Sequence, residues 1–545
     1  MPTCIQCKSS FQFTDLDRQF LDKLGLPEPQ SCPRCRRKQR LAFWPFGVLQ
    51  KRKCDFSGET IISTFPEGSR FPVYKRDYWF TDKWDAPEQE IDWNKSILDQ
   101  LYELQSKTPH FHRLGKNSEN SDYADDVWDS RNIYLSRSMA DCEDLCYVYR
   151  VVESKDSIDL TYCFGMEQSY ECTYCFSCYN LKFALDCRNC SDSYFLYDCR
   201  SCQNCFMCWN LRNKEYHILN KPYTKKEYFS KLAEFNLNSR KSLEELGNKF
   251  KEHLKNDALH KVDFNVQCES SQGNYMTECK DCEDCYFLER SRDSLYVMRG
   301  IENKDCIDTS GLLRGEFCSN ICQSTNLNSV HSALYSFDCL DSYYIDQCFN
   351  GKNLFACVGL KRKEHCILNK QYSKEEYEEL VPKLIEKMEA DGEWGQPLPY
   401  KMAYNGFNLS LGAFYYAETK ESIEALGGFW EEPPRSKKLG INAKELPALA
   451  EEVSDDLVGQ ALKCAATGQP FRFIKKELDF YRHHNLPYPI YYPEERNRRR
   501  FTQLVPLNLK SAGCYACGKE ITHYYPESWG YKKVLCEECY LKKVY

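Results

Sequence analysis

Residues 184–214 read ALDCRNCSDSYFLYDCRSCQNCFMCWNLRNK, a run that holds Cys187, Cys190, Cys199, Cys202, Cys205 and Cys208. So many thiols in one stretch grip metal, form disulfides or fill space, and the fold follows from which of these applies. Counting outward in twelves gives Ser118, Ser130, Cys142, Ser154, Met166, Cys178, Cys190 and Cys202 in one column, nearly all small or soft. Two residues further on, Asn120, Asn132, Asp144, Asp156, Gln168, Asn180, Asp192 and Asn204 put an amide or carboxylate at every step. Asn and Asp tolerate left-handed backbone and bond their own main chain, so this column marks corners. The next column is Ile133, Leu145, Ser157, Ser169, Leu181, Ser193 and Cys205. A twelve-residue turn leaves room for about two strands of three or four residues plus tight corners, and so narrow a tube holds small side chains inside. Free Cys packs as a small hydrophobe. Ser, Met, Leu or Asn replaces Cys at equivalent steps, which suits interior filler better than a coordination sphere. The reading is therefore packing first. Metal and disulfide ladders stay open as alternatives, because Cys187/Cys190, Cys199/Cys202 and Cys279/Cys282 form CxxC pairs.

A second array repeats the rule as Cys279, Ser291, Asn303 with Asp281, Asp293, Asp305, and then reads as slipping by several residues before FDCLDSYYIDQCFNGKNLFAC. A larger duplication overlies both arrays: CWNLRNKEYHILNKPYTKKEY from Cys208 matches CVGLKRKEHCILNKQYSKEEY from Cys357, an offset of 357 − 208 = 149. Thr224 with Glu227 and Ser373 with Glu376 predict capping boxes that open helices sealing the array ends. The fold class expected is mainly β: a narrow Cys/Ser-rich β-solenoid in two arrays, with capping helices and a zinc ribbon-type module at each end. The expected domains are an N-terminal module 1–85, a helical connector 86–116, arrays at 117–222 and 263–371, a helical cap at 223–262, a helical cap and β segment at 372–429, a linker at 430–460 and a C-terminal module 461–545.

The two ends are copies of each other, since residues 4–66 lie over 464–526 without a gap at an offset of 464 − 4 = 460. The first copy has Cys4, Cys7, Cys32 and Cys35, two CxxC pairs at the spacing of a tetrahedral zinc ribbon. Its second site keeps Cys54 but has Ser57 where the other copy has Cys517. The C-terminal copy reverses this: Thr467, Tyr492 and Glu495 replace first-site ligands, while Cys514, Cys517, Cys536 and Cys539 form an intact second site. Two structural zinc ions are expected, one per end, because four thiolates leave no position open for chemistry.

The run CIQCKSSFQFTDLDRQFLDKLGLPEPQSCPRCRRKQR, with its paired CxxC, Phe-x-Phe and CxxC-Arg, resembles bacterial zinc-ribbon domains. Taken with NSENSDYADDVWDSRNIYLS, the Cys-rich rungs and LRNKEYHILNKPYTKKEY, most of the chain resembles uncharacterised Cys-rich bacterial proteins of candidate-phyla type. The resemblance implies zinc and a bacterial cytoplasmic setting, and it carries no activity.

The chain has 545 residues, 33 of them Cys, and a net charge of −7. The opening MPTCIQCKSS enters a Cys motif where a leader would place an apolar run, and no stretch is long enough to span a membrane. A reduced, cytoplasmic location is expected, where thiols favour metal or burial. With ten His, no zinc-protease pair, phosphate-cradling loop or nucleophile elbow appears, and His110/His112 and His483/His484 read as loop or surface residues. No enzyme is expected, and no small-molecule substrate is identified. The acidic whole confines any nucleic-acid surface to a patch. The candidates are Arg34, Arg36, Arg37, Lys38 and Arg40 beside Trp44, and Arg496, Arg498, Arg499 and Arg500, where cations track phosphate and rings stack on bases. The functional expectation is a non-enzymatic, zinc-stabilised solenoid presenting an interaction surface to protein or nucleic acid. Metal buffering or thiol redox through the central cysteines is the alternative.

Overall fold

The computed structural model describes residues 1–46, 49–311, 313–316, 325–432, 440–447, 449 and 452–545. From Asp126 to Leu219 every third residue has a positive φ, Gly165 included. Each left-handed residue ends a side of three residues, and four sides close a turn. The twelve-residue period is thus a four-sided coil, where two strands per turn had been expected. Asn120, Asn132, Asp144, Asp156, Gln168, Asn180, Asp192 and Asn204 all sit at such corners, as their chemistry predicts. Tyr147, Phe183 and Phe195 occupy others, where a bulky side chain is strained unless its surroundings fix it. Turn-to-turn hydrogen bonds do so: Tyr147 N–H reaches Tyr134 C=O and Phe183 N–H reaches Tyr170 C=O, each at 3.0 Å. Register advances by twelve, as in Gly115↔Val127, Ala124↔Ser136, Tyr179↔Ser191 and Gln203↔Glu215.

The tube's lining explains its composition. The amide of an inward-facing residue points into the tube, and a side-chain acceptor one turn earlier takes it. Cys142 N–H bonds Ser130 Oγ at 3.0 Å, Met166 N–H bonds Ser154 Oγ at 2.9 Å, and Cys190 N–H bonds Cys178 Sγ at 3.5 Å. The same side chains donate back to the wall, Ser157 Oγ to Lys155 C=O at 2.8 Å and Cys178 Sγ to Phe176 C=O at 3.2 Å. Ser and Cys are small enough to fit and can satisfy polar groups that a buried wall cannot leave unpaired. All described cysteines are free. Outside the tube, pairs twelve apart stack: Phe164–Phe176 at 5.2 Å, Phe183–Phe195 at 4.8 Å and Tyr275–Phe287 at 4.7 Å.

In the second array the register stays at twelve through Tyr286↔Met298, Leu313↔Thr325, Asn328↔Leu340 and Lys352↔Glu364. The slip expected before Phe337 is therefore absent. The irregular step lies at the first turn, where Val266↔Thr277 and Glu269↔Lys280 are eleven apart. Gly273, in this turn, packs closely on the next: with φ 155°, an added Cβ would lie 1.9 Å from Cys285 O.

The chain divides into two compact units. One joins residues 1–113 to 263–432, and the other joins 114–262 to 433–545. Each unit thus pairs one terminal module with one array, the N-terminal module with the second array and the C-terminal module with the first. Helices Lys225–Leu232 and Lys374–Ala390 begin at the expected capping boxes. Of the expected linker, residues 433–439, 448 and 450–451 lie outside the described residues. Residues 430–432 belong to the first unit, where Glu431 bonds Gly406 N–H and Asn408, and the rest of the described part is built into the second: Ile441–Asn442 pairs with Leu462–Lys463, and Ala443 and Leu457 are buried. His110 and His112, expected at the surface, are buried in the first unit, with His110 on a strand paired to Val73–Tyr74 and stacked on Phe71. Among the described residues no helix is long and apolar enough to cross a membrane.

Candidate metal centres and the basic helices

Four knuckle turns recur in the terminal modules, at Cys4, Cys54, Cys464 and Cys514. In each the Cys N–H bonds the carbonyl five residues on, at 2.8–2.9 Å, and the N–H four residues on returns to the Cys carbonyl. The fourth residue after the cysteine, Lys8, Gly58, Gly468 or Gly518, has the positive φ that this turn requires. The turn survives whether or not its ligand set is complete.

Two sets are complete. The Sγ atoms of Cys4, Cys7, Cys32 and Cys35 lie within 4.8 Å of one another, and so do those of Cys514, Cys517, Cys536 and Cys539. Tetrahedral thiolates at about 2.3 Å from zinc stand ~3.8 Å apart. Cys7–Cys32 is 3.8 Å and Cys517–Cys536 is 3.9 Å. The two sites share a supporting bond, from Cys32 N–H to Cys4 Sγ and from Cys536 N–H to Cys514 Sγ, each 3.3 Å. Such donors favour the thiolate. A hydrogen bond from the Cys35 thiol pulls Cys32 down to about 5. Burial raises Cys514, and the main-chain N–H groups of Cys536, Cys517 and Ala516 together outweigh it, leaving the thiol at about 6. The donors fit a four-coordinate metal and leave it no open position. Among the described residues no other group of three or more such ligand atoms comes this close, the array cysteines included.

In the two incomplete sites a single sulfur remains. Cys54 Sγ accepts from Ser57 N–H at 3.5 Å and Lys75 N–H at 3.2 Å. Cys464 is buried in the hydrophobic core of its unit. The sequence alone marks both losses.

The basic residues call for a correction. Arg36, Arg37, Lys38, Arg40 and Trp44 are buried, as are Arg496 and Arg500, whereas a nucleic-acid surface needs them exposed. Their helices, Pro33–Ala42 and Pro493–Phe501, lie against an array flank. Arg36 Nε bonds Asp308 Oδ2 and Arg40 NH1 lies 3.0 Å from Asp308 Oδ1. In the other unit Arg496 NH1 bonds Asp159 Oδ2 at 2.8 Å and Arg500 NH1 bonds Asp159 Oδ1 at 2.6 Å. Arg40 also donates to Tyr296 C=O at 3.1 Å and to Ser310 Oγ at 3.3 Å, and Arg500 to Tyr147 C=O at 2.9 Å and Thr161 Oγ1 at 3.1 Å. Arg36 covers the Tyr296 ring and Arg496 the Tyr147 ring. Asp17 accepts from Tyr296 OH at 3.0 Å, and Glu477 from Tyr147 OH at 2.6 Å. Every partner corresponds by the offset 460 in the modules and 149 in the arrays. Arg37 adds a bond to Asp284 Oδ2 at 2.6 Å and Lys38 one to Glu418 at 2.7 Å. Arg34, Arg498 and Arg499 remain exposed. Arg34 stands over Tyr416, and Arg499 over Tyr491 at 3.6 Å. Asp159, Asp308, Asp17 and Glu477 went unnoticed in the sequence. Applying the two offsets together would have flagged them as acids matched in both copies.

No protein-family model matches the chain, and comparison with curated proteins finds no match.

Proposed function

We propose that the chain is a non-enzymatic scaffold in which two zinc-held terminal modules brace a four-sided solenoid, leaving the outer faces of the solenoid for a protein partner. The observation that carries this reading is the duplicated arginine–aspartate dock. The cationic clusters that most resembled a ligand-binding surface are committed to holding module against array. Zinc is favoured over other metals by the all-thiolate tetrahedral donor set. The alternative, buffering or redox through the central cysteines, meets thiols that are mostly buried; hydrogen bonds from neighbouring thiols lower Cys187, against its burial, and Cys202, but others go the opposite way. Burial pushes both Cys142 and Cys339 up to about 12, and reactive cysteines need the reverse.

Metal analysis of the purified chain tests the proposal. Two zinc per chain are expected, falling to one in Cys35→Ser and to one in Cys539→Ser, with array Cys→Ser variants unchanged. Many metal equivalents per chain, lost on changing array cysteines, would establish the buffering alternative instead.

A further inference from the structure

A cleft of about 740 Å³ opens within the second unit, between the flank of the first array, the helix Arg240–Asn256 and the C-terminal module. This is the size of a small-molecule site. One wall is aromatic, formed by the stacked Phe183 and Phe195 rings with Phe250 at 5.9 Å from Phe195.

The other unit shows what this place holds when it is filled. There the segment Glu393–Leu398 of the chain itself lies against the N-terminal module. Gln39 Nε2 donates to Leu398 C=O at 2.7 Å, and Gln30 N–H to Gln396 Oε1 at 3.3 Å. Gly395 packs so tightly that an added Cβ would stand 2.7 Å from Pro27 Cδ. On the array side, Tyr344 OH accepts from Gly395 N–H at 3.0 Å and donates to Glu393 C=O at 3.1 Å. By the offset 460, Pro27, Gln30 and Gln39 correspond to Pro487, Ile490 and Arg499, all lining the open cleft. By the offset 149, Tyr344 corresponds to Phe195, which lines it too.

Two of these exchanges set the chemistry. Phe195 has no hydroxyl with which to anchor a peptide backbone and presents an apolar face. Arg499 puts a cation where Gln39 met a neutral carbonyl. Arg499 is about half exposed and bonds Glu495 at 2.8 Å. Two further cations stand on the cleft wall. Arg240 donates to the main-chain carbonyls of Tyr488 and Pro447, and Lys251 makes no ion pair among the described residues. The remaining charged groups are Lys255, paired with Glu252, buried Arg496, paired with Asp159, and the acids Glu171 and Glu244, the latter near Arg240. Burial raises Glu171 to about 7, so it carries about half a negative charge at neutral pH, and that charge lies 3.6 Å from Arg500.

We infer that this cleft binds a small amphipathic anion, an aromatic or acyl body seated on Phe183 and Phe195 with a carboxylate, sulfonate or phosphate head held by Arg499, Lys251 and Arg240. Titration of the metal-loaded full chain with anilinonaphthalene sulfonate tests it by fluorescence. Saturable binding at one site per chain is expected, weakened about tenfold in the double variant Lys251→Glu, Arg499→Gln, the loss of roughly one charge-assisted contact. Both positions are exposed, and the circular dichroism of the variant checks its fold. Displacement by decanoate or by adenosine monophosphate tells which body the cleft prefers. Absence of saturable binding, or a titration that the double variant leaves unchanged, overturns the inference.

Discussion

Asp159 and Asp308 stand 308 − 159 = 149 residues apart, the spacing that relates the two arrays, and each receives two arginines of a terminal helix that themselves correspond by 460. The same dock between module and array therefore recurs in both units. Their order along the chain differs, module before array in one unit and after it in the other.

Removing either aspartate leaves two guanidinium groups buried without a counter-charge. Asp308→Ala and Asp159→Ala are each expected to cost about 3–5 kcal/mol in urea unfolding. Replacing Asp308 together with Arg36 and Arg40 by apolar residues is expected to cost less than Asp308→Ala alone.

Metal removal is expected to separate the copies. Helix Pro33–Ala42 starts at Cys32 and carries Cys35, whereas Pro493–Phe501 has no ligand and is docked without one. After chelation, hydrogen exchange is expected to speed up in residues 33–42 and in the knuckle at 514–518, with residues 493–501 still protected.

Inside the array, Cys178→Ser is expected to be nearly neutral and Cys178→Ala to cost about 1–3 kcal/mol, because alanine leaves the Cys190 amide without its acceptor. Thermal unfolding of the two variants, with metal content measured alongside, distinguishes packing from ligation.

Burial pushes the imidazoles of His112, His260 and His331 each down to about 3. An unfolded imidazole takes up its proton near pH ~6.5. Between these values the unfolded chain binds more protons than the folded one, so stability falls as pH drops from about 6.5 towards 3, by up to about 1.4 kcal/mol per pH unit for each histidine. The urea midpoint is expected to be lower at pH 4.5 than at pH 7, even in high salt that screens surface pairs.

The twelve-residue period, the corner column, both helix caps and both thiolate tetrads were legible because each is a local rule repeated in one dimension. The four-sided section was missed although it was written in the cysteines. Cys142, Cys163, Cys172, Cys175, Cys178 and the six of residues 184–214 all differ by multiples of three, and a CxxC pair here is two sides of one corner. The basic clusters misled because Arg36 and Asp308 are 272 residues apart. A cation's partner decides whether it faces solvent, and no local pattern names a partner so distant. The open cleft was invisible for the same reason, as its walls come from three separate segments.

The left-handed residue at every third position makes the array behave like a reading frame. One residue inserted or deleted within a side would turn every later inward thiol onto the wall and every corner onto a flat. Three would leave each in its role and rotate the rest of the coil by a quarter turn. Surface residues can thus be moved from one face of the solenoid to the next by edits of nine bases, with the lining undisturbed. The eleven-residue step at the first turn of the second array keeps the frame because one side is shortened there, Gly273 and Tyr275 standing only two apart with positive φ.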